Sequence, residues 1–329
     1  MSSRTTLACV AALAAALLTP AAAEAGVSTR ADRATAATAA TGVSRPAVPV
    51  PLRAGPAGAP TLVGSTTGDV GAAAATFQVT YTGFTPEAKA AFQRAVNLWA
   101  SKLNSPVPIT VKASFEPLGE GVLGSAGPTN IWRDFAGAPR AGTWYVDAIA
   151  NKRAGRQLDP SPDIVARFSS NFTNWHFGTA AAPAGKYDFT SVVMHELGHG
   201  IGFLGAGNVA NGTGTVRVAG MPVSYDRYTE TGVDKKLLSF ADNSSALATA
   251  LKSGNVWFDS TRVRNANGSK RAKLYAPGTW QPGSSYSHLD ETTYPPGTAH
   301  SLMTPRLGAA ETIREPGAIS RAILLDLGW

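Results

Sequence analysis

Residues 192–203 read Val-Val-Met-His-Glu-Leu-Gly-His-Gly-Ile-Gly-Phe. His195 and His199 stand four residues apart, so on an α-helix they share one face, one turn above the other. Two imidazoles so placed can point at one zinc ion. Glu196 follows the first histidine, where its carboxylate can reach a water on that metal. Val192, Val193, Leu197 and Ile201 suit the opposite, core-facing side of such a helix. Gly198, Gly200 and Gly202 each cost a helix roughly 1 kcal/mol relative to alanine, which a helix kept only for stability seldom carries. The chain has five histidines, His176, His195, His199, His288 and His300. A chance pattern match on a structural helix is the competing account, and the glycines together with the apolar setting weigh against it.

The start of the chain reads as an export signal. Arg4 lies in a short basic stretch, residues 7–18 are an unbroken apolar run, and Ala23 and Ala25 frame a small-residue cleavage site. A run this short falls below the roughly 20 residues a membrane-spanning helix needs, and no later stretch is long and apolar enough. Residues 1–25 are therefore expected to be a signal peptide, and the rest a secreted, extracellular protein. Cys9 is the single cysteine and would leave with that segment. No thiolate then remains for a metal or for latency, so histidine or carboxylate must hold any zinc.

The formal charge of +7 is unchanged by that loss, because residues 1–25 carry one cation, Arg4, and one anion, Glu24. The basic residues are scattered, with no aromatic-interleaved stripe, which argues against nucleic acid as a partner. A basic surface of this kind favours anionic envelopes.

Residues 26–75 are Ala, Thr, Gly and Pro with few large apolar side chains. Such a composition buries too little surface to offset ordering entropy, which predicts a disordered linker or propeptide. Order is expected from residue 76, with an N-terminal subdomain over 76–207 and a C-terminal one over 208–329. Alternation predicts a strand at 77–81. Thr85 and Pro86 open a helix whose apolar residues, Ala88, Phe92, Val96, Trp99 and Leu103, recur every three to four positions. Further strands are expected at 109–113, 143–146 and 164–168, a glycine-rich loop at 119–127, and an N-cap at Asp188 for the motif helix. Helices are expected at 245–252 and 319–327, within a looser second half. Strand, helix and several strands leading into a zinc helix predict an α+β fold, a twisted mixed β-sheet with helices packed on it.

A catalytic zinc usually has three protein ligands and one open position. The His-Glu-x-x-His-x-x-Gly run resembles the compact metzincin pattern, which places its third histidine or aspartate three residues beyond the glycine; here that position is Gly205, which has no side chain. The ligand must come from further along. His288, in Ser-Ser-Tyr-Ser-His-Leu-Asp-Glu, is the preferred candidate, with His300, Asp290 and Glu291 as rivals. His176 reads as a loop or cleft residue, and Tyr286 and Tyr294 are weak candidates for a phenol near the transition state.

With the distant His288 segment, the Leu302-Met303-Thr304 turn and the Asp326-Leu327-Gly328-Trp329 tail, the chain resembles the leishmanolysin-like metzincins and a set of secreted bacterial proteins of the same arrangement. The resemblance spans residues 76–329 in order of elements and is specific only in the motif helix and the 285–305 block. The cysteines of the eukaryotic members are absent. It implies a metzincin-like fold with an irregular C-terminal subdomain. It also implies zinc held by His195, His199 and His288, Glu196 as general base, and Met303 as the methionine beneath the site. In that family an extended peptide lies along an edge strand above the zinc helix, for which residues 164–168 are the candidate.

The expected activity is zinc-dependent endopeptidase cleavage through attack of a zinc-bound water assisted by Glu196. The partner is then a protein or peptide substrate, and the chain a monomer. A zinc-stabilised binding protein of the cell surface, or a hydrolase acting on envelope material, stands as the alternative.

Overall fold

A computed structural model describes residues 42–65, 74–232 and 234–329. The expected signal peptide at 1–25 lies outside these residues. The fold is α+β. Its centre is a six-stranded mixed sheet built from β1 (Val50–Val63), β2 (Phe77–Thr82), β3 (Ile109–Glu116), β4 (Val122–Pro128), β5 (Ile164–Ser169) and β6 (Arg306–Ile313). The spatial order is β6-β1-β4-β5-β3-β2. Strands β2, β3 and β5 run parallel to one another. Strand β4 is antiparallel to both β5 and β1, and β6 runs parallel to β1.

The parallel pair β2 and β3 needs a crossover, supplied by helix α1 (Pro86–Ala100). Thr85 caps α1, its hydroxyl accepting from the Ala88 N–H at 3.2 Å. Its apolar face, including Phe92, Val96 and Trp99, is buried. A short helix α2 (Asp147–Ala154) precedes β5. Helix α3 (Phe189–Gly200) is buried at every position and packs against α1 and strands β1, β4, β5 and β6. A helix enclosed on all sides must satisfy its end groups internally. Asp188 caps it, accepting from Ser191 N at 2.7 Å, and the buried Arg314 guanidinium holds both oxygens of the same carboxylate at 2.5 and 2.9 Å.

The second half adds a four-stranded sheet from Thr229–Thr231, Lys235–Lys236, Val256–Phe258 and Ala272–Lys273. It also adds helices α4 (Ser245–Leu251), α5 (Thr261–Ala266) and α6 (Gly317–Leu327). Ala40–Trp329 forms one unit, and β6 returns to the central sheet, bridging the boundary expected at residue 207. Among the described residues no helix is long and apolar enough to cross a membrane.

Three sequence expectations are corrected. Residues 43–46 and 50–63, within the stretch expected to be disordered, are strands. Their order comes from tertiary partners: Val50, Leu52 and Val63 are buried. Gly55 lets the chain pass Leu307, where an added Cβ would sit 3.1 Å from its carbonyl carbon. Within the expected loop 119–127, residues from Val122 belong to β4. Its small residues keep β4 close to α3: a Cβ on Gly124 would stand 3.3 Å from Cγ of Glu196. The third correction concerns residues 164–168, which lie inside the sheet between β3 and β4 and offer no open edge to a peptide.

Candidate metal centre

Helix α3 carries His195 and His199 one turn apart, as the spacing requires, and both are buried. His288 comes from the loop after Trp280 and is fully buried beside them. The three Nε2 atoms lie 3.0 Å (His195–His199), 3.1 Å (His199–His288) and 3.2 Å (His195–His288) apart.

The outer nitrogens settle the tautomers. His195 Nδ1 lies 2.6 Å from the Leu302 carbonyl, His199 Nδ1 2.7 Å from Phe203 O, and His288 Nδ1 2.7 Å from Ser284 O. A carbonyl only accepts, so each Nδ1 donates and each Nε2 bears a bare lone pair. Burial holds all three imidazoles neutral, His195 down at about 4 and the other two well below the usual histidine range; mutual proximity adds to this for His199 and His288. Neutral rings with Nδ1–H have no proton left for the Nε2 contacts. Three lone pairs facing one point in a dry interior are unfavourable alone and are satisfied by a cation.

Tetrahedral zinc with bonds of about 2.0–2.1 Å sets its nitrogen ligands about 3.3 Å apart, close to the spacings here. The residues therefore fit a metal ion, and the backbone carbonyls supply the outer hydrogen bonds that metal-binding histidines use. Among the described residues this is the one such cluster of histidine, cysteine and carboxylate.

The rivals for the third position lie elsewhere. His300 packs its ring edge-on against Tyr294, with centroids 5.9 Å apart. The Asp290 carboxylate accepts from Thr293 N and Oγ1 at 2.9 and 2.6 Å, and Glu291 is outside the cluster. His176 contacts Ala180 O at 3.0 Å in its own loop. Tyr286 donates to Asp226 at 2.8 Å, and the Tyr294 hydroxyl accepts from Asn267 and Lys273. Gly205, the compact-pattern position, is filled from outside: a Cβ there would meet the Tyr286 ring at 2.4 Å.

Met303 is fully buried in the 3₁₀ turn Ser301–Met303. Its sulfur lies 2.7 Å from where a Cβ on Gly198 would stand, and Gly198 sits between the two helical histidines. Glycine there lets the thioether approach the helix. The Met303 carbonyl accepts from Leu289 N at 2.8 Å, tying the turn to the residue after His288.

Glu196 is fully buried. Its Oε1 accepts the Leu52 N–H at 3.1 Å, while Oε2 has no partner. Burial raises its carboxyl well above the ordinary range, and the Leu52 and Ala126 N–H groups oppose that shift.

Two supports went unread in the sequence. Arg314 completes the α3 cap, a role no local pattern announces across 126 residues. The Trp329 indole donates to Ile201 O at 2.7 Å, closing the C-terminal end of the motif helix. No family model matches the chain, and no curated protein is similar to it.

Proposed function

We propose that this chain is a secreted zinc-dependent endopeptidase of metzincin type. The observation that carries the reading is the convergence of three Nδ1-anchored imidazoles, with a glutamate next to the first of them whose Oε2 is unpartnered. A purely structural site needs the histidines but not that carboxylate.

Zinc held by His195, His199 and His288 would supply a Lewis acid that polarises the scissile carbonyl and acidifies water to a pKa near about 7. Glu196 accepts a proton from the attacking water and returns it to the leaving amine. A carboxylate held beside the attacking water can both take that proton and give it back. The Leu302, Phe203 and Ser284 carbonyls hold the imidazoles in the tautomer that leaves each Nε2 lone pair free. Met303 packs under the helix without offering an atom to the cluster.

A second reading, a zinc-stabilised binding protein without turnover, draws on one observation: Glu196 and the three histidines are all sealed from solvent. Digestion of an unfolded protein substrate separates the two. The endopeptidase reading expects cleavage that is lost on chelation and in Glu196→Ala. Zinc binding without cleavage of any protein or peptide, once the site is open, would sink it.

A further inference from the structure

We infer that residues 43–53 are a self-inhibitory strand lying where an extended peptide would bind. This rests on the endopeptidase reading above. Strand β4 is the strand that passes over Glu196, and its edge away from β5 is the one an added strand could pair with. That edge is filled by the chain itself, antiparallel, with Val50 opposite Ala126, Pro51 opposite Ser125 and Leu52 opposite Gly124. The same run continues through Ala47, whose N–H donates to Thr129 O at 3.1 Å. It ends with Val43–Pro46 paired antiparallel to Asn130–Arg133. An extended peptide adding to a sheet edge uses this same row of backbone groups.

Three contacts fix the strand over the chemistry. Leu52 is fully buried and its N–H occupies Oε1 of the proposed base. Gly283 comes so close to Pro51 that a Cβ would meet its Cδ at 2.4 Å, which clamps the strand from the loop leading to His288. Residues 46–50 also wall a cavity of about 420 Å³ whose other side includes Leu204, Trp280 and Pro282. With the strand seated, Glu196 and the histidines have no exposure beyond 1%.

The strand is separable from the fold. From Val50 to Arg53 it pairs with β4; from Arg53, which pairs on both sides, β1 pairs with β6 through Arg306, Leu307 and beyond. Residues 56–60 are exposed and lie where the pairing with β6 is broken by register shifts. Residues 43–53 can therefore leave while the end of β1 stays on β6. The device needs no cysteine, which the chain lacks outside Cys9.

The test uses the full chain carrying a site-specific protease sequence in place of residues 57–60, folded and loaded with Zn²⁺ before cutting. Two readouts are taken before and after: the rate of zinc transfer to 1,10-phenanthroline, and hydrolysis of an unfolded protein. Leu52→Asp in the uncut chain, which puts a carboxylate against Glu196, is the second route to opening, with Leu52→Ile as the closed control. The expected result is that cutting and Leu52→Asp each speed both readouts by about tenfold or more, as loss of about 1.4 kcal/mol of closure implies. Zinc transfer that is equally fast in the intact chain, or unchanged by both manipulations, overturns the inference. Hydrolysis by the intact chain at the cut rate overturns it while sparing the endopeptidase reading. Faster zinc transfer with no hydrolysis upholds the strand as a gate and removes the endopeptidase reading instead.

Discussion

The Leu302 carbonyl stands 2.6 Å from Nδ1 of His195, so the turn that carries Met303 also orients the first imidazole. The same turn seats its thioether on Gly198, between the two helical histidines. Gly198→Ala adds a methyl at 2.7 Å from the sulfur and pushes on this joint. The helix-propensity gain of about 1 kcal/mol is outweighed by overpacking of about 1–3 kcal/mol. Zinc affinity is expected to fall with stability. A double-mutant cycle with Met303→Ala, read by denaturant unfolding, should show coupling of at least about 0.5 kcal/mol; additivity would mean that the two residues do not press on one another.

Ligand assignment is checked by metal content after dialysis. His288→Ala is expected to lose zinc by more than the roughly 10–100-fold that an altered outer-shell partner costs. His300→Ala, whose ring lies against Tyr294, should keep a full complement. The reverse pattern would move the third ligand to His300.

Zinc removal should lower thermal stability, because the folded state alone gathers the three imidazoles. Free Zn²⁺ at about 100 times Kd is expected to stabilise by about 2.7 kcal/mol. Calorimetry on the stripped chain would register this as a rise in Tm, absent from a His195→Ala, His199→Ala double variant.

Arg314→Ala leaves the Asp188 carboxylate buried with its cation gone. Breaking one side of a buried pair costs about 3–5 kcal/mol, and here it also weakens the cap of the motif helix. Urea unfolding should show a loss of that size. A loss below about 1 kcal/mol would mean water replaces the guanidinium.

Burial pushes the Asp147 carboxyl up to about 8, against N–H groups from Asn130 and Trp132. The folded chain then holds a proton that the unfolded chain, with an ordinary carboxyl near 3.8, releases. The stabilisation is full below about pH 4 and is lost as pH rises through about 8. The slope contributed is at most about 1.4 kcal/mol per pH unit. Asp147→Asn should flatten the fall of unfolding free energy between those limits, and equal slopes in the two proteins would rule the group out.

Local physics made part of this molecule readable in advance. The His195–Glu196–His199 spacing, the Thr85 and Asp188 caps and the alternation in β2, β3 and β5 are signals carried within a few residues, and they hold. His288 was reached by need of a third ligand and by resemblance, and it is the histidine brought to the other two. What escaped reading depends on partners far away in the chain. Strands β1 and β4 are rich in Gly, Ala and Pro, which on their own read as loop. They are strands because Leu307, Arg167 and Glu196 lie beside them and demand small residues. Arg314 and Trp329 likewise look like ordinary residues until the helix ends they satisfy are in view.

The parallel pairing of β1 with β6 joins Arg53 to Arg306 and Val63 to Ile313. Closing it requires a loop of most of the chain, and such pairings form slowly because the closure entropy comes before the contacts. The sheet cannot complete itself on a ribosome until nearly all of the polypeptide has emerged, so β1 spends synthesis with its β6-facing edge bare. This chain should then complete its fold late, and the interval before β6 docks is when aggregation threatens it most.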